Sequence, residues 1–352
     1  MRRLVWIVSL ALVLLAAWFG ATLYVPYGDF PREGVFVDIP KGDSVRGIAR
    51  LLAQKGVVRS APPFEVFSRW RRRPLQAGEY FFDRPARGVD VFRKLAEGRV
   101  YVVTVVVPEG SNQFDIAALL ERAGVTRRDA FLAAVRDPAP VLDLAPTARG
   151  LEGFLFPATY EFPRHIAPEE IAAAMVRRFR EAWQGLPADV RGRSVMSIEH
   201  AVTLASLVER ETPQRDERPV VAGVFVNRLR RGFPLQCDPT VIYALELADR
   251  YSGRLDSRDL GFNSSYNTYR HPGLPPGPIA NPGEASLRAA LEPAAVDYFY
   301  FVANGQGGHS FSKTLAEHNR NVARYRRLLG QNGQAADDSQ PPKAPQRNRR
   351  RK

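Results

Sequence analysis

The stretch VFVDIPKGDSVRGIARLLAQKGVV, Val35 to Val58, decides the architecture. It opens on a β-branched and aromatic run that suits a strand. Pro40 and Gly42 then make a turn. Ile48, Ala49, Leu51 and Leu52 recur at helical spacing, and Gly56 stops the helix. The same pattern returns from Val102. Pro108 and Gly110 match Pro40 and Gly42, Ile116, Ala117, Leu119 and Leu120 match the apolar stripe, and Gly124 and Val125 match Gly56 and Val57, all at an offset of 68 residues. This is an internal repeat of a strand–turn–helix unit, and it predicts an α+β chain. Between the copies, Phe64, Phe67 and Trp70 have helical spacing and are expected in the core. Arg69, Arg71, Arg72 and Arg73 are expected on a solvated face.

Upstream, Leu4 to Val25 is apolar without an internal charge. A membrane-spanning helix needs about 20 such residues. The run ends in Leu23, Tyr24, Val25, Pro26 and Tyr27, which suits an interfacial aromatic belt better than a signal-cleavage site. A single-pass anchor in the cytoplasmic (inner) membrane is therefore expected. Arg2 and Arg3 would stay inside, and everything after Val25 would lie on the periplasmic or extracytoplasmic side.

The formal net charge is +13, and six of the basic residues sit in PPKAPQRNRRRK, Pro341 to Lys352. A basic balance allows an acidic partner, such as a wall polyanion or a lipid surface. Nucleic acid is the competing partner, but no DNA- or RNA-binding motif supports it. Cys237 stands alone, so an intrachain disulfide is excluded, and packing is its expected role. No Walker, G-x-S-x-G or dinucleotide fingerprint occurs. His271, His309 and His318 lack metal-ligand spacing, and the last two are expected to be structural. Neither metal nor cofactor is called for.

Downstream of Gly150 a second region begins. LEGFLFPATYEF, Leu151 to Phe162, suits a buried loop or strand edge. Pro168 to Trp183, Ser197 to Glu211 and Arg218 to Arg231 are expected helices. Pro234 to Gly283 is rich in Pro, Gly, Asn and Tyr with little periodicity, which marks a functional loop region. DYFYFVA, Asp297 to Ala303, suits a strand, and Thr314 to Leu329 a basic terminal helix.

Chemistry concentrates in LASLVERET, Leu204 to Thr212. Glu209 and Glu211 point about 200° apart on a helix, so one groove cannot use both. Glu211 extends the stripe of Leu204, Leu207 and Val208, whereas Glu209 follows the smaller Ala205 and Ser206. A carboxyl on an apolar stripe is poorly hydrated, so its pKa rises and it can act as a general acid near neutral pH. The plain alternative is that Glu211 ends the helix and pairs with Arg215. In the loop region, Gln236 and Asp238 precede a helix, and Tyr266, Asn267 and Tyr269 cluster. Amides and tyrosines of this kind hydrogen-bond or stack on sugars. Taken singly, Asp238 could be an N-cap, Asn267 a turn residue and Tyr266 core.

Six blocks in order carry a resemblance: EGFLFPATY, LASLVERET, ERPVVAGVFVNRL, LQCDPTVIYAL, YNTYRHPGLPPGPIANPG and YFYFVANGQGGHSFSKTLAEHN. With the anchor, they resemble the endolytic murein transglycosylase (YceG-like) family. The strand–turn–helix unit also resembles the LysM module, a small binder of N-acetyl sugars. The resemblance implies residues 1–3 in the cytoplasm and a span over 4–25. It further implies a LysM-like subdomain over 26–145 and a mixed α+β catalytic domain over 146–330; outside the resemblance, the basic and aperiodic composition leaves 331–352 as a disordered tail. It implies non-hydrolytic cleavage of MurNAc–GlcNAc bonds that leaves 1,6-anhydro-MurNAc ends and terminates strand elongation. Peptidoglycan glycan strands, inner-membrane lipid and peptidoglycan synthases are the partners to expect. The family's acid lies in the LASLVERET block. Glu211-Thr212 is similar to the Glu-Ser pair of soluble lytic transglycosylases, and Glu209 is the fallback. Gln236, Asp238, Tyr266, Asn267 and Tyr269 are the expected substrate contacts. A hydrolytic muramidase using Asp238 as its second acid, and a non-catalytic wall-binding scaffold, are the rival readings.

Overall fold

A computed structural model describes residues 2–193 and 196–338 of the chain. The chain divides into two units, Met1–Thr104 with Glu161–His165, and Val105–Tyr160 with Ile166–Lys352. The architecture is mixed α+β with an apolar N-terminal helix.

The first unit starts with α1 (Arg2–Tyr24), 23 residues without an acid in its first turn. At 1.5 Å per residue it is about 34 Å long, enough to match a hydrocarbon core of about 30 Å. Then follow β1 (Val35–Ile39), α2 (Val45–Gln54), α3 (Ala61–Arg71), β2 (Gly78–Phe82) and α4 (Gly88–Ala96). β1 and β2 pair antiparallel, with Val37 opposite Tyr80 and Val35 opposite Phe82. Alternate residues therefore point to one face. That face, with Ile48, Leu52, Phe64, Phe67 and Leu95, forms the core of the unit.

β3 (Val103–Val106), α5 (Gln113–Arg122), α6 (Arg128–Ala134) and β4 (Thr159–Phe162) repeat that order, and β3 pairs with β4. The starts of β3 and α5 lie 68 residues after those of β1 and α2. Ser44 caps α2 and Asn112 caps α5, each accepting backbone N–H groups on its side-chain oxygen. Gly42 and Gly110 have φ of 83° and 78°, and Gly56 and Gly124 have 71° and 69°. The sequence repeat is thus a repeat of strands, caps and left-handed glycines. The first copy lies in the first unit, and the second copy leads into the second.

One pair of matched glycines differs in surroundings. A Cβ on Gly56 would lie 1.9 Å from the Asp29 carbonyl oxygen, whereas one on Gly124 meets nothing within 4 Å. Gly124→Ala should cost about 1–2 kcal/mol, the penalty for a left-handed residue with a side chain. Gly56→Ala should cost clearly more, because its backbone neighbour cannot move aside. Urea denaturation of both variants in detergent micelles checks the ranking.

The second unit continues with α7 (Pro168–Gly185), α8 (Ala188–Arg193), α9 (Ile198–Glu211), α10 (Arg218–Arg230), α11 (Asp238–Leu247) and α12 (Glu284–Leu291). It ends with the antiparallel pair β5 (Tyr300–Ala303) and β6 (His309–Ser312), then α13 (Leu315–Asp338). α9 is the axis of the unit. Ala201 through Val208 are buried on every side, and α10, α11 and α12 pack around them.

One expectation needs correcting. Trp70 is 70% exposed, not core, although Phe64 and Phe67 are buried as their spacing predicts. α13 extends to Asp338, into the first residues of the expected tail over 331–352. The remainder of the expected tail, 339–352, lies outside the described residues.

Candidate active site

Glu211 is the last residue of α9. Ser197 starts the helix by accepting the His200 N–H at 3.2 Å, and the next segments turn away after Thr212. Glu211 opens into a cavity of about 360 Å³ lined by Arg228, Gln236, Asp238, Tyr269, Tyr300 and His309, among others. That volume is within the range of small-ligand sites. Burial raises the Glu211 pKa above its ordinary value, and the charge of Asp238 adds to the rise. The Cys237 thiol, His309 and Arg228 oppose it. The carboxyl on the apolar stripe is therefore held toward its protonated form. Pairing with Arg215 does not occur; the nearest carboxylate to that guanidinium is Glu109, at 3.9 Å.

Glu209 occupies a different setting. Its side chain is 4% exposed, and its Oε1 accepts from Arg218 Nη2 at 2.6 Å, with Arg218 also 4% exposed. Its Oε2 accepts the Gly283 N–H at 2.9 Å. One oxygen is held in a buried ion pair and the other by a backbone N–H, so both are occupied.

The loop region delivers three of the expected contacts to the Glu211 cavity. Gln236 sits at φ 53°, with its Oε1 accepting from Arg228 Nη2 at 3.2 Å. Asp238 opens α11, and the Tyr269 hydroxyl donates to its Oδ1. The other two residues go elsewhere. Asn267 is 0% exposed. Its Nδ2 donates to the Leu260 and Phe262 carbonyls, and its Oδ1 accepts the Tyr269 N–H at 3.0 Å. These three bonds tie its buried side chain to the loop that presents Tyr269. Tyr266 packs on Tyr243 and lines a second cavity of about 260 Å³ beside Glu152, near the other end of α9.

Sequence reading missed Arg228, Tyr300, His309 and His318 as cavity residues. His309 is clamped by Glu217, which accepts its N–H at 2.8 Å and contacts Nδ1 at 2.7 Å. Burial would raise the Glu217 carboxyl, but these contacts and Thr212 outweigh it and pull the pKa down. Glu217 thus remains an acceptor for His309. Arg228 Nε and His318 Nδ1 are buried without a hydrogen-bond partner. A Gly-Gly-His run beside a strand was the available signal for His309.

Residues 37–324 match the YceG-like family. An endolytic murein transglycosylase of Bacillus subtilis (strain 168) is 33% identical over 324 residues, covering 87% of this chain and 89% of the relative. An endolytic murein transglycosylase of Streptococcus pneumoniae (strain D39) is 28% identical over 357 residues, covering 91% of this chain and 64% of the relative. A crystal structure of a yceG-like protein from Listeria monocytogenes superposes with a TM-score of 0.56 at 33% identity. It spans 82% of this chain and 99% of that one. The family match covers most of the chain, and the Bacillus subtilis relative is 33% identical over 87% of it: the chain belongs to the YceG-like family.

Proposed function

We propose that this protein is an endolytic murein transglycosylase, a lyase that cuts MurNAc–GlcNAc bonds of peptidoglycan and leaves 1,6-anhydro-MurNAc ends. The observation that carries the reading is Glu211, a carboxyl held toward its neutral form at the edge of a polar and aromatic cavity. Protonated Glu211 gives its proton to the glycosidic oxygen, the C1–O bond breaks, and positive charge develops at C1. The resulting carboxylate then takes the proton of the sugar's own C6 hydroxyl, whose oxygen closes on C1. One group serves as acid and then as base, and no water is consumed. Gln236, Asp238 and Tyr269 border the glycan groove. Asn267 positions Tyr269 from behind, and Tyr266 stands at a distance from the cavity.

Around this chemistry, α1 is read as an inner-membrane anchor with the two units on the extracytoplasmic side. Residues 26–145, which hold the strand–helix repeat, are read as LysM-like, 146–330 as the catalytic region, and strand termination beside peptidoglycan synthases as the cellular role. The order β1, α2, α3, β2 and its repetition support the LysM-like reading.

Asp238 in the same cavity keeps a hydrolytic muramidase in view, since glycoside hydrolases use two carboxyls. Asp238→Asn separates the two. In the one-acid scheme it removes a negative charge that raises the Glu211 pKa, so less Glu211 is protonated at high pH. The alkaline limb of the pH–rate profile should then move to lower pH while anhydro products persist. Loss of all cleavage, with reducing ends from the parent, would establish the hydrolase instead.

A further inference from the structure

α3 has two unlike faces. Pro63, Phe64, Phe67 and Ser68 are buried in the core of the first unit. On the opposite face Val66 is 56% exposed and Trp70 70% exposed. They are four residues apart and so lie one above the other. Arg69 lies beside them, and Arg71, Arg72 and Arg73 follow, all exposed. The Arg71 guanidinium is 5.2 Å from the ring centres of both Phe67 and Trp70. Glu65 is the acid of this helix, and it is shared by Arg46 and Arg69 at 3.2 and 2.9 Å. The patch is therefore strongly positive around an exposed indole.

Its position matters. Thr22 and Leu23, in the last turn of α1, are buried, and Phe19, about one turn earlier, already packs against the same core. α1 packs against both α3 and α4. A Cβ on Gly88, at the start of α4, would lie 3.3 Å from the Leu23 Cα. Leu4 to Leu15, by contrast, expose their large apolar side chains. The last turn of α1 is thus part of the folded unit, and α3 lies beside the end of the apolar helix.

We propose that the Val66–Trp70 face with Arg71 and Arg73 is an interfacial foot that rests on anionic lipid headgroups of the leaflet from which α1 emerges. The proposal rests on α1 being a membrane anchor. Tryptophan favours the headgroup level, and arginines near an anionic surface gain electrostatic attraction. With α1 alone, the first unit could swing about its tether. A second contact, beside the exit point of α1, fixes its tilt on the bilayer.

The test uses the full chain reconstituted in phosphatidylglycerol-containing vesicles with lipids brominated at shallow or deep acyl positions. The emission of the parent minus that of Trp70→Phe isolates Trp70. The expected result is quenching of Trp70 by shallow bromines and protection from aqueous iodide. Both should be lost on pure phosphatidylcholine vesicles and in Arg71→Gln/Arg73→Gln. Trp6 and Trp18, isolated by their own Phe variants, report α1 independently. If they are quenched by the brominated lipids while Trp70 stays open to iodide in every vesicle, the foot is refuted and the anchor stands. Such a face would suit an acidic polymer or protein instead. If Trp70 is quenched equally on phosphatidylcholine, the role of the arginines is refuted. If neither set is quenched, the anchor fails and the foot with it.

Discussion

Glu211→Gln is expected to lower cleavage of glycan strands by about 10²–10⁴-fold, the usual contribution of a positioned general acid, with folding intact. The amide fits the same space and cannot give up a proton to the leaving oxygen. Glu209→Gln should do the reverse. It removes the closer counter-ion of Arg218, at a site where both side chains are 4% exposed, and leaves Glu109 at 3.5 Å as the remaining one. Breaking a buried pair from one side costs about 3–5 kcal/mol; with Glu109 still in place the loss should be smaller than that but should lower the urea midpoint. Activity measured well below that midpoint should be largely kept. Two neighbouring acids on one helix thus separate into a chemical and a structural role. If Glu209→Gln folds as well as the parent but loses cleavage, the roles are exchanged. The parent's rate should also fall as pH rises through the Glu211 pKa, which burial holds above the ordinary carboxyl value.

The second large effect concerns Glu152 and stability. Its carboxyl is buried, and burial raises its pKa from 4.5 to about 8 against the opposing pull of Gln113, Tyr243 and Asn281. The Gln113 N–H donates to Oε2 at 2.9 Å, and Asn281 Nδ2 donates to Oε1 at 2.7 Å. Asn281 also accepts the Gly153 and Leu155 N–H groups and donates to the Ser111 carbonyl. Glu152 and Asn281 therefore clasp three loops together. A raised carboxyl pKa means that the unfolded chain releases the proton first. The contribution is complete below about pH 4.5, shrinks as pH rises, and is gone above about pH 8. From 4.5 to about 8 the linkage amounts to about 5 kcal/mol. The urea midpoint of the parent should fall across that window. Glu152→Gln should fall much less and should overtake the parent at alkaline pH. Parallel pH dependences in the two proteins would show that Glu152 does not titrate there.

How far these features could be read in advance depends on their range. The repeat was legible because strand, turn, helix and stop recur along a short stretch, and Gly42, Gly56, Gly110 and Gly124 all adopt the left-handed backbone. The setting of Glu211 was legible for the same reason, since Leu207 and Val208 are its neighbours on one helix. Glu209 was less so: Arg218 and Gly283 reach it from other segments. Asn267 and Tyr269 look alike as loop residues with sugar-binding chemistry. Only the fold turns one inward against Leu260 and Phe262 and the other toward Asp238. Trp70 was misplaced because its helical spacing matches Phe64 and Phe67, yet one further step around α3 carries it to the outer face. Glu152 gave no sign in a short aromatic run, because its environment is made by Asn281, more than a hundred residues away.

The most direct measurement is mass spectrometry of the products that the full chain and its Glu211→Gln variant release from uncrosslinked glycan strands. 1,6-anhydro-MurNAc ends are expected from the parent and none above background from the variant. Anhydro ends at equal yield from both, or reducing ends from the parent, would contradict the proposed chemistry.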